Sequence, residues 1–314
     1  MEFLPVETQQ QQLLCPFCIG NEEETPVPLA VYRADGSLTE NLEDNVEWLV
    51  RVVPNKFPMF ERPSGNSEAK KNLQDRGPYQ SCDWVGEQEV IVCSPRHVTS
   101  ISDLRDDELA VSFRAMQDRI ARMETRSDIA HTMLFLNCRL SAGASLSHIH
   151  AQLIGSPLVS EELMGRVARN RANLARAGIA LVESCAKWEA EQRVRMIYQS
   201  EHFYVFCPFA SRFPFQIWLV PKHSKESFAK CPDAMLNELA RSCHWLITTI
   251  EKFVEQPGYN FLLHHAPSQM SEGNHWYFEI LPRLTRPAGF EWGTNIWVNP
   301  VSPETAARRL RLKA

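Results

Sequence analysis

The chain has 314 residues, 44% hydrophobic and 23% charged, with a formal net charge of −5 from 33 Lys+Arg against 38 Asp+Glu. That balance excludes disorder, collagen and coiled coil, and it leaves no overall basic field, so nucleic acid is not an expected partner. Apolar runs such as Phe215 to Val220 and Met133 to Leu136 are far shorter than the ~20 residues of a membrane span, so no membrane crossing is expected.

Met1 to Leu14 carries Glu2, Glu7 and a Gln9 to Gln12 run without a cationic start or an apolar stretch, so it does not read as a secretory signal. Nine irregularly spaced cysteines do not form a disulfide framework. Both features place the protein in the cytoplasm, with thiols serving as core residues or metal ligands.

Leu29 to Tyr32 and Trp48 to Val53 read as strands, broken by Asp35-Gly36 and Pro54. Glu61 to Gly77 is polar and aperiodic and is expected to be a mobile loop. Glu87 to Cys93 is a strand closed by Pro95-Arg96-His97. Between Leu104 and Arg126, the residues Leu109, Phe113, Met116, Ile120 and Met123 fall at helical spacing, which predicts an amphipathic helix on a sheet. Met133 to Asn137 follows as a buried strand, and Glu161 to Ala177 as a helix ending at Gly178.

The second part repeats this order. Phe203 to Cys207 and Phe215 to Val220 are strands, the latter closed by Pro221-Lys222-His223. Asp233 to Phe253 is a helix, Tyr259 to Leu263 matches Met133 to Asn137, and His275 to Leu281 matches His148 to Ile154. Four elements recurring in one order predict an internal duplication. The expected fold is α+β, two similar halves over residues 1–180 and 181–314 sharing a mostly antiparallel sheet with flanking helices. His264-His265, at the end of an apolar strand, reads as a turn.

The most specific local signal is Gly143-Ala-Ser145-Leu-Ser-His148-Ile-His150-Ala-Gln152. On a strand, His148, His150 and Gln152 share one face, and the small residues before them let backbone N–H groups approach an anion. One imidazole can bind a metal or brace the turn, another can act as nucleophile, and the amide can hold a phosphoryl oxygen. An imidazole near its ordinary pKa of ~6.5 is neutral enough at cytoplasmic pH to attack phosphorus without a separate base. Cys15-Pro-Phe-Cys18 lies in a loop rather than at the helix start a redox pair favours, so zinc is expected, completed by His97 and His148.

Six stretches carry a resemblance. They are Cys15 to Glu22, Arg51 to Pro58, Glu89 to His97, Gly143 to Gln152, Pro208 to Pro214 and Gly289-Phe290-Glu291. Together they resemble the galactose-1-phosphate uridylyltransferase family of the histidine-triad superfamily, in family order over nearly the whole chain. The resemblance implies a duplicated histidine-triad-like fold and a two-step reaction: a histidine takes a nucleoside monophosphoryl group from a nucleotide sugar and passes it to a sugar 1-phosphate or to phosphate. It implies His150 as nucleophile and Gln152 as partner of the phosphoryl oxygens. Asn137, Gly143 and Ser145 would line the phosphate path, Asn55 would lie near the nucleoside, and Phe290 and Glu291 near the sugar. It implies structural zinc at Cys15, Cys18, His97 and His148, and a homodimer.

UDP-glucose is the donor expected first. ADP-glucose phosphorylase, dinucleoside tetraphosphate phosphorylase and a non-catalytic nucleotide-binding protein are the alternatives. Three departures matter. A second family metal site maps to Cys185, Trp188, His223 and His275, and reads as degenerate because a cysteine has become tryptophan. His275-Trp276-Tyr277 removes a second nucleophile. Residues 1–14 hold none of the arginines that relatives use for phosphate, for which Arg51, Lys56, Arg96 and Arg139 are the candidate substitutes.

Overall fold

The computed structural model describes residues 14–39, 47–59, 74–81, 86–223, 227–270 and 275–312. Its first strands are β1 (Ala30–Tyr32), β2 (Leu38–Thr39) and β3 (Val50–Pro54). Of the segment expected as a loop over 61–77, residues 61–73 lie outside the described residues. Its end is not loop: β4 (Gln74–Arg76) pairs with β5 (Tyr79–Ser81) across a turn at Gly77, whose φ of 67° suits glycine. The chain continues through β6 (Glu87–Val92), α1 (Asp106–Glu124), β7 (His131–Cys138), β8 (His150–Ser156) and α2 (Glu161–Ala177).

The second part comprises α3 (Leu181–Gln192), β9 (Met196–Gln199), β10 (Phe203–Phe206), β11 (Ile217–Pro221), α4 (Asp233–Glu251), β12 (Tyr259–His264), β13 (Tyr277–Pro282), α5 (Gly289–Thr294) and α6 (Pro303–Leu312). Helices α3, α5 and α6 and strand β9 carry no strong period or turn signal, and sequence reasoning missed them. Helix α2 has the predicted limits because both ends are marked: the Ser160 side chain accepts from Leu163 N, and Gly178 closes the helix at φ 73°.

Eleven strands form one sheet in the order β2-β1-β3-β6-β8-β7-β12-β13-β11-β10-β9, and its pairings are antiparallel. At its centre β7 meets β12, with Cys138 opposite Tyr259 and Phe135 opposite Leu262. Reading outward from this seam, β7-β8-β6-β3 is answered by β12-β13-β11-β10. The duplication expected from the sequence is therefore present as a two-fold-like arrangement of a continuous sheet.

Strand alternation decides which side each residue faces. In β7, Thr132, Leu134, Leu136 and Cys138 are buried and the residues between them only half so. Leu134 and Leu136, with Ala151 and Leu153 of β8, pack against Phe113, Met116 and Ile120 of α1; α4 covers the second half from the same side. The other side holds two smaller clusters. Phe17, Trp48 and Val90 lie together in the first half, and Ala186 of α3 packs with Phe206 and Tyr277 in the second. Helix α2 packs beside α3. No helix among the described residues is long and apolar enough to cross a membrane.

Candidate active site

The C-x-x-C loop sits beside the segment entering β8. Cys15 Sγ and Cys18 Sγ each lie 3.6 Å from His148 Nδ1, and Cys18 Sγ lies 3.4 Å from His97 Nδ1. One potential ligand atom from each of these four residues falls within 4.8 Å of every other. Tetrahedral zinc with bonds of ~2.0–2.3 Å places its ligands about 3.3–3.8 Å apart, so two sulfurs and two ring nitrogens at these spacings fit that ion. The His148 Nε2–H donates to the Ser94 carbonyl at 2.9 Å, which leaves Nδ1 as the ligand atom. Burial lowers the His148 pKa to about 4 and, reinforced by the neighbouring Cys15, raises that of the Cys18 thiol to about 11. The ring is thus neutral, and two adjacent thiols need a cation before both can ionise.

Residues remote in sequence hold this cluster. The buried Glu108 carboxylate accepts from Ser94 Oγ at 2.7 Å and from Arg96 Nε at 3.0 Å, fixing the loop that carries His97. Arg51 is fully buried, donates to Thr25 Oγ1 and the Pro16 carbonyl, and stands over the Trp48 ring.

His148 is not on the strand, contrary to expectation: β8 begins at His150, and His148 lies in the preceding turn. The turn is what frees its ring to reach back to the cysteines. His150 is 5% exposed, and its Nδ1–H donates to the His148 carbonyl at 2.7 Å. Nε2 is therefore the unprotonated nitrogen of the neutral ring. Burial lowers the His150 pKa against the opposing effect of that hydrogen bond. The Phe17 ring lies edge-on 5.1 Å from His150 and 5.9 Å from His148, tying the cysteine loop to both imidazoles.

Gln152 is oriented by a residue the sequence reading missed. Gln88 Nε2 donates to Gln152 Oε1 at 2.8 Å, while Gln88 Oε1 accepts from Met59 N. The Gln152 carbonyl is thereby used, and its NH₂ is left to donate. A similar constraint acts on Asn137: Asn260 Nδ2 donates to Asn137 Oδ1 and to the Ala142 carbonyl, each at 2.8 Å. Gly143 adopts φ 91°, and a Cβ there would stand 3.7 Å from Asn137 Nδ2. Ser145 is exposed in the same loop. Neither Gln88 nor Asn260 lies in a recognisable motif, and only strand register could have found them.

Other expected residues take different places. Asn55 Oδ1 accepts from Phe57 N in a local turn. Phe290 and Glu291 lie on α5, where the Glu291 carboxylate accepts from Ala288 N at the helix start. The four candidate phosphate-binding cations have protein partners: Arg51 as above, Lys56 on the Glu24 carbonyl, Arg96 on Glu108, and Arg139 on the Pro257 carbonyl and near Glu251. Arg139 stands at φ 67°, which turns its side chain toward the second half rather than along the Gly143 loop. Cys185, His223 and His275 do not gather into a metal-sized cluster among the described residues.

His264-His265 is not a turn. His264 ends β12, accepts from Arg166 at Nδ1 (2.6 Å) and donates from Nε2 to Glu279 (2.7 Å). His265 is buried against the Thr132 carbonyl.

A family model described as a domain of unknown function (DUF4921) matches residues 96–313. ADP-glucose phosphorylase of Arabidopsis thaliana is 30% identical, over 95% of this chain and 81% of its own length. Galactose-1-phosphate uridylyltransferase of Thermotoga maritima is 23% identical, over 98% and 91% respectively. The chain belongs to the galactose-1-phosphate uridylyltransferase family. Among solved members of this family, ADP-glucose phosphorylase from Arabidopsis thaliana with bound ADP-glucose superposes with a TM-score of 0.79 at 28% identity, covering 96% of this chain and 92% of that one. The uridylyltransferase family fold, histidine-triad-like and duplicated, is thus the fold of this chain, and its family relatives are nucleotidyltransferases and phosphorylases. Within the family, the phosphorylase likeness is stronger than the uridylyltransferase likeness on which UDP-glucose was expected as donor.

Proposed function

We propose that this protein is a nucleotide-sugar phosphorylase that acts on ADP-glucose through a covalent nucleotidyl-His150, with residues 1–180 holding the reaction. The observation that carries the reading is the Nδ1–H bond from His150 to the His148 carbonyl, which presents Nε2 as a neutral nucleophile. The 30% identity to an ADP-glucose phosphorylase supports the choice of donor.

His150 Nε2 attacks the α-phosphorus, an N–P bond forms, and the bond to the bridging oxygen breaks. The sugar 1-phosphate leaves as an anion, so the chain need supply no general acid. An oxygen of inorganic phosphate then attacks the same phosphorus and the N–P bond breaks, giving nucleoside diphosphate and restoring the imidazole. Gln152 donates to a phosphoryl oxygen, and the Gly143 loop leaves the backbone accessible. Charge distributed over fixed dipoles and accurate positioning supply most of the rate. Cys15, Cys18, His97 and His148 would hold the metal. When bound there, zinc is a structural clamp that ties the N-terminal loop to the start of β8.

Intact mass after brief incubation with ADP-glucose or UDP-glucose tests the donor, and a chase with phosphate or galactose 1-phosphate tests the acceptor. An AMP-sized adduct absent in His150→Ala and discharged by phosphate is expected. A UMP adduct discharged only by galactose 1-phosphate would replace this reading with the uridylyltransferase one.

A further inference from the structure

The second half holds a cavity of about 500 Å³ on the sheet side away from α1 and α4, roofed by α2 and α3. Its floor repeats the geometry of the His150 site. Gln152 stands opposite Val90 and Phe135, and Glu279 stands opposite Trp218 and Leu262 at the corresponding positions. Tyr277 thus holds the place of His150, and Gln216 that of Gln88. The bond from Gln88 to Gln152 recurs as Gln216 Nε2 donating to Glu279 Oε1 at 2.5 Å.

The donors and acceptors of this floor are unevenly used. Glu279 Oε1 accepts from Gln216 and Trp218, Glu279 Oε2 accepts from His264, and Gln216 Oε1 accepts from Arg212 N. These acceptors are occupied, whereas Arg166 Nε is a buried N–H without a hydrogen-bond partner, 3.6 Å from the Glu162 carboxylate, which also lies 3.7 Å from Arg169. Arg169 and Arg212 also line the space, so three guanidinium groups face two carboxylates, Glu162 and Glu279, in a chain whose net charge is −5. Phe213, Trp218 and Tyr277 supply aromatic walls, and Leu163, Val167 and Val182 aliphatic ones. The volume lies in the range of small-molecule sites, and one guanidinium more than the carboxylates can neutralise, with one N–H lacking a hydrogen bond, favours an anion with a planar body beside the apolar wall.

We propose that this cavity is a second, non-catalytic site that binds a nucleoside monophosphate, base against the aromatic wall and phosphate at the arginines. Tyr277 in place of a histidine leaves no nucleophile there, so the occupant is bound and released unchanged.

The test is calorimetric titration of the full chain with AMP, UMP and inorganic phosphate separately, repeated on Arg169→Glu/Arg212→Glu and on Val182→Trp, which fills the space. A nucleoside monophosphate equivalent weakened about tenfold or more by the charge reversal and lost in Val182→Trp is expected. Formation of the His150 adduct should be unchanged in all variants. The charge reversal changes exposed side chains, so it keeps the test alive if Val182→Trp misfolds. Nucleotide binding that responds to neither variant, or no binding beyond the His150 site, overturns the proposal; so does inorganic phosphate binding as tightly as AMP. Because the adduct reads His150 alone, failure of the phosphorylase reading is seen separately.

Discussion

His148 and His150 are coupled through one carbonyl: the His148 ring faces Cys15 and Cys18, while its backbone oxygen accepts the Nδ1–H of His150. The group that anchors the N-terminal loop therefore also sets which nitrogen of the neighbouring imidazole is free.

Replacing His150 by alanine should abolish the nucleotidyl adduct and lower turnover by at least about 10³-fold, as expected for a lost nucleophile. The fold should be kept, with a fall in melting temperature limited to the lost packing of the buried ring against Phe17, since the ring's hydrogen bond is to its own segment. Turnover within tenfold of wild type would remove His150 from the mechanism.

Gln88→Leu should lower kcat/KM by about 10- to 100-fold, because Gln152 loses the partner that aims its amide. The effect should fall on kcat more than on thermal stability, with no recovery in Gln88→Glu, which still accepts from Met59 N but has no N–H to donate to Gln152 Oε1. A variant that loses stability and activity in proportion would make Gln88 merely structural.

Zinc analysis should find metal in stoichiometric amount, lost in Cys18→Ser. Its removal should lower the melting temperature by about 2 °C for each kcal/mol of lost clamp energy in a chain of this length. A metal-free protein with an unchanged melting temperature would end the clamp.

His131 and His265 lie with ring centroids 4.8 Å apart, and burial pushes their pKa values down to about 3 and about 4. Below the unfolded value of ~6.5, the unfolded chain binds protons that the native chain refuses, so stability falls as pH drops from about 6.5 toward 4. It is fully recovered above that window. Urea midpoints across this range should show the fall, and His131→Leu should make it shallower, since it removes one of the histidines held neutral and His131 Nδ1 has no partner to lose. An identical slope in the variant would assign the fall to other groups.

Residues 143–152 and the C-x-x-C marked the centre of the candidate site from sequence alone, because chemistry that depends on neighbouring residues is written at short spacing. The duplication was legible for the same reason: helix period and strand alternation are local, and α2 even shows its cap and its glycine. What lay beyond reach was decided by register and by turns. Gln88 meets Gln152 across 64 positions, and Asn260 meets Asn137 across 123, each because one strand lies beside another at a particular offset. Arg139 and Arg96 looked available for phosphate until folding brought the Pro257 carbonyl and Glu108 to them. A sequence states which groups a chain carries; only the packed sheet decides which of them are already satisfied and which, like His150 Nε2, are left to act on something else.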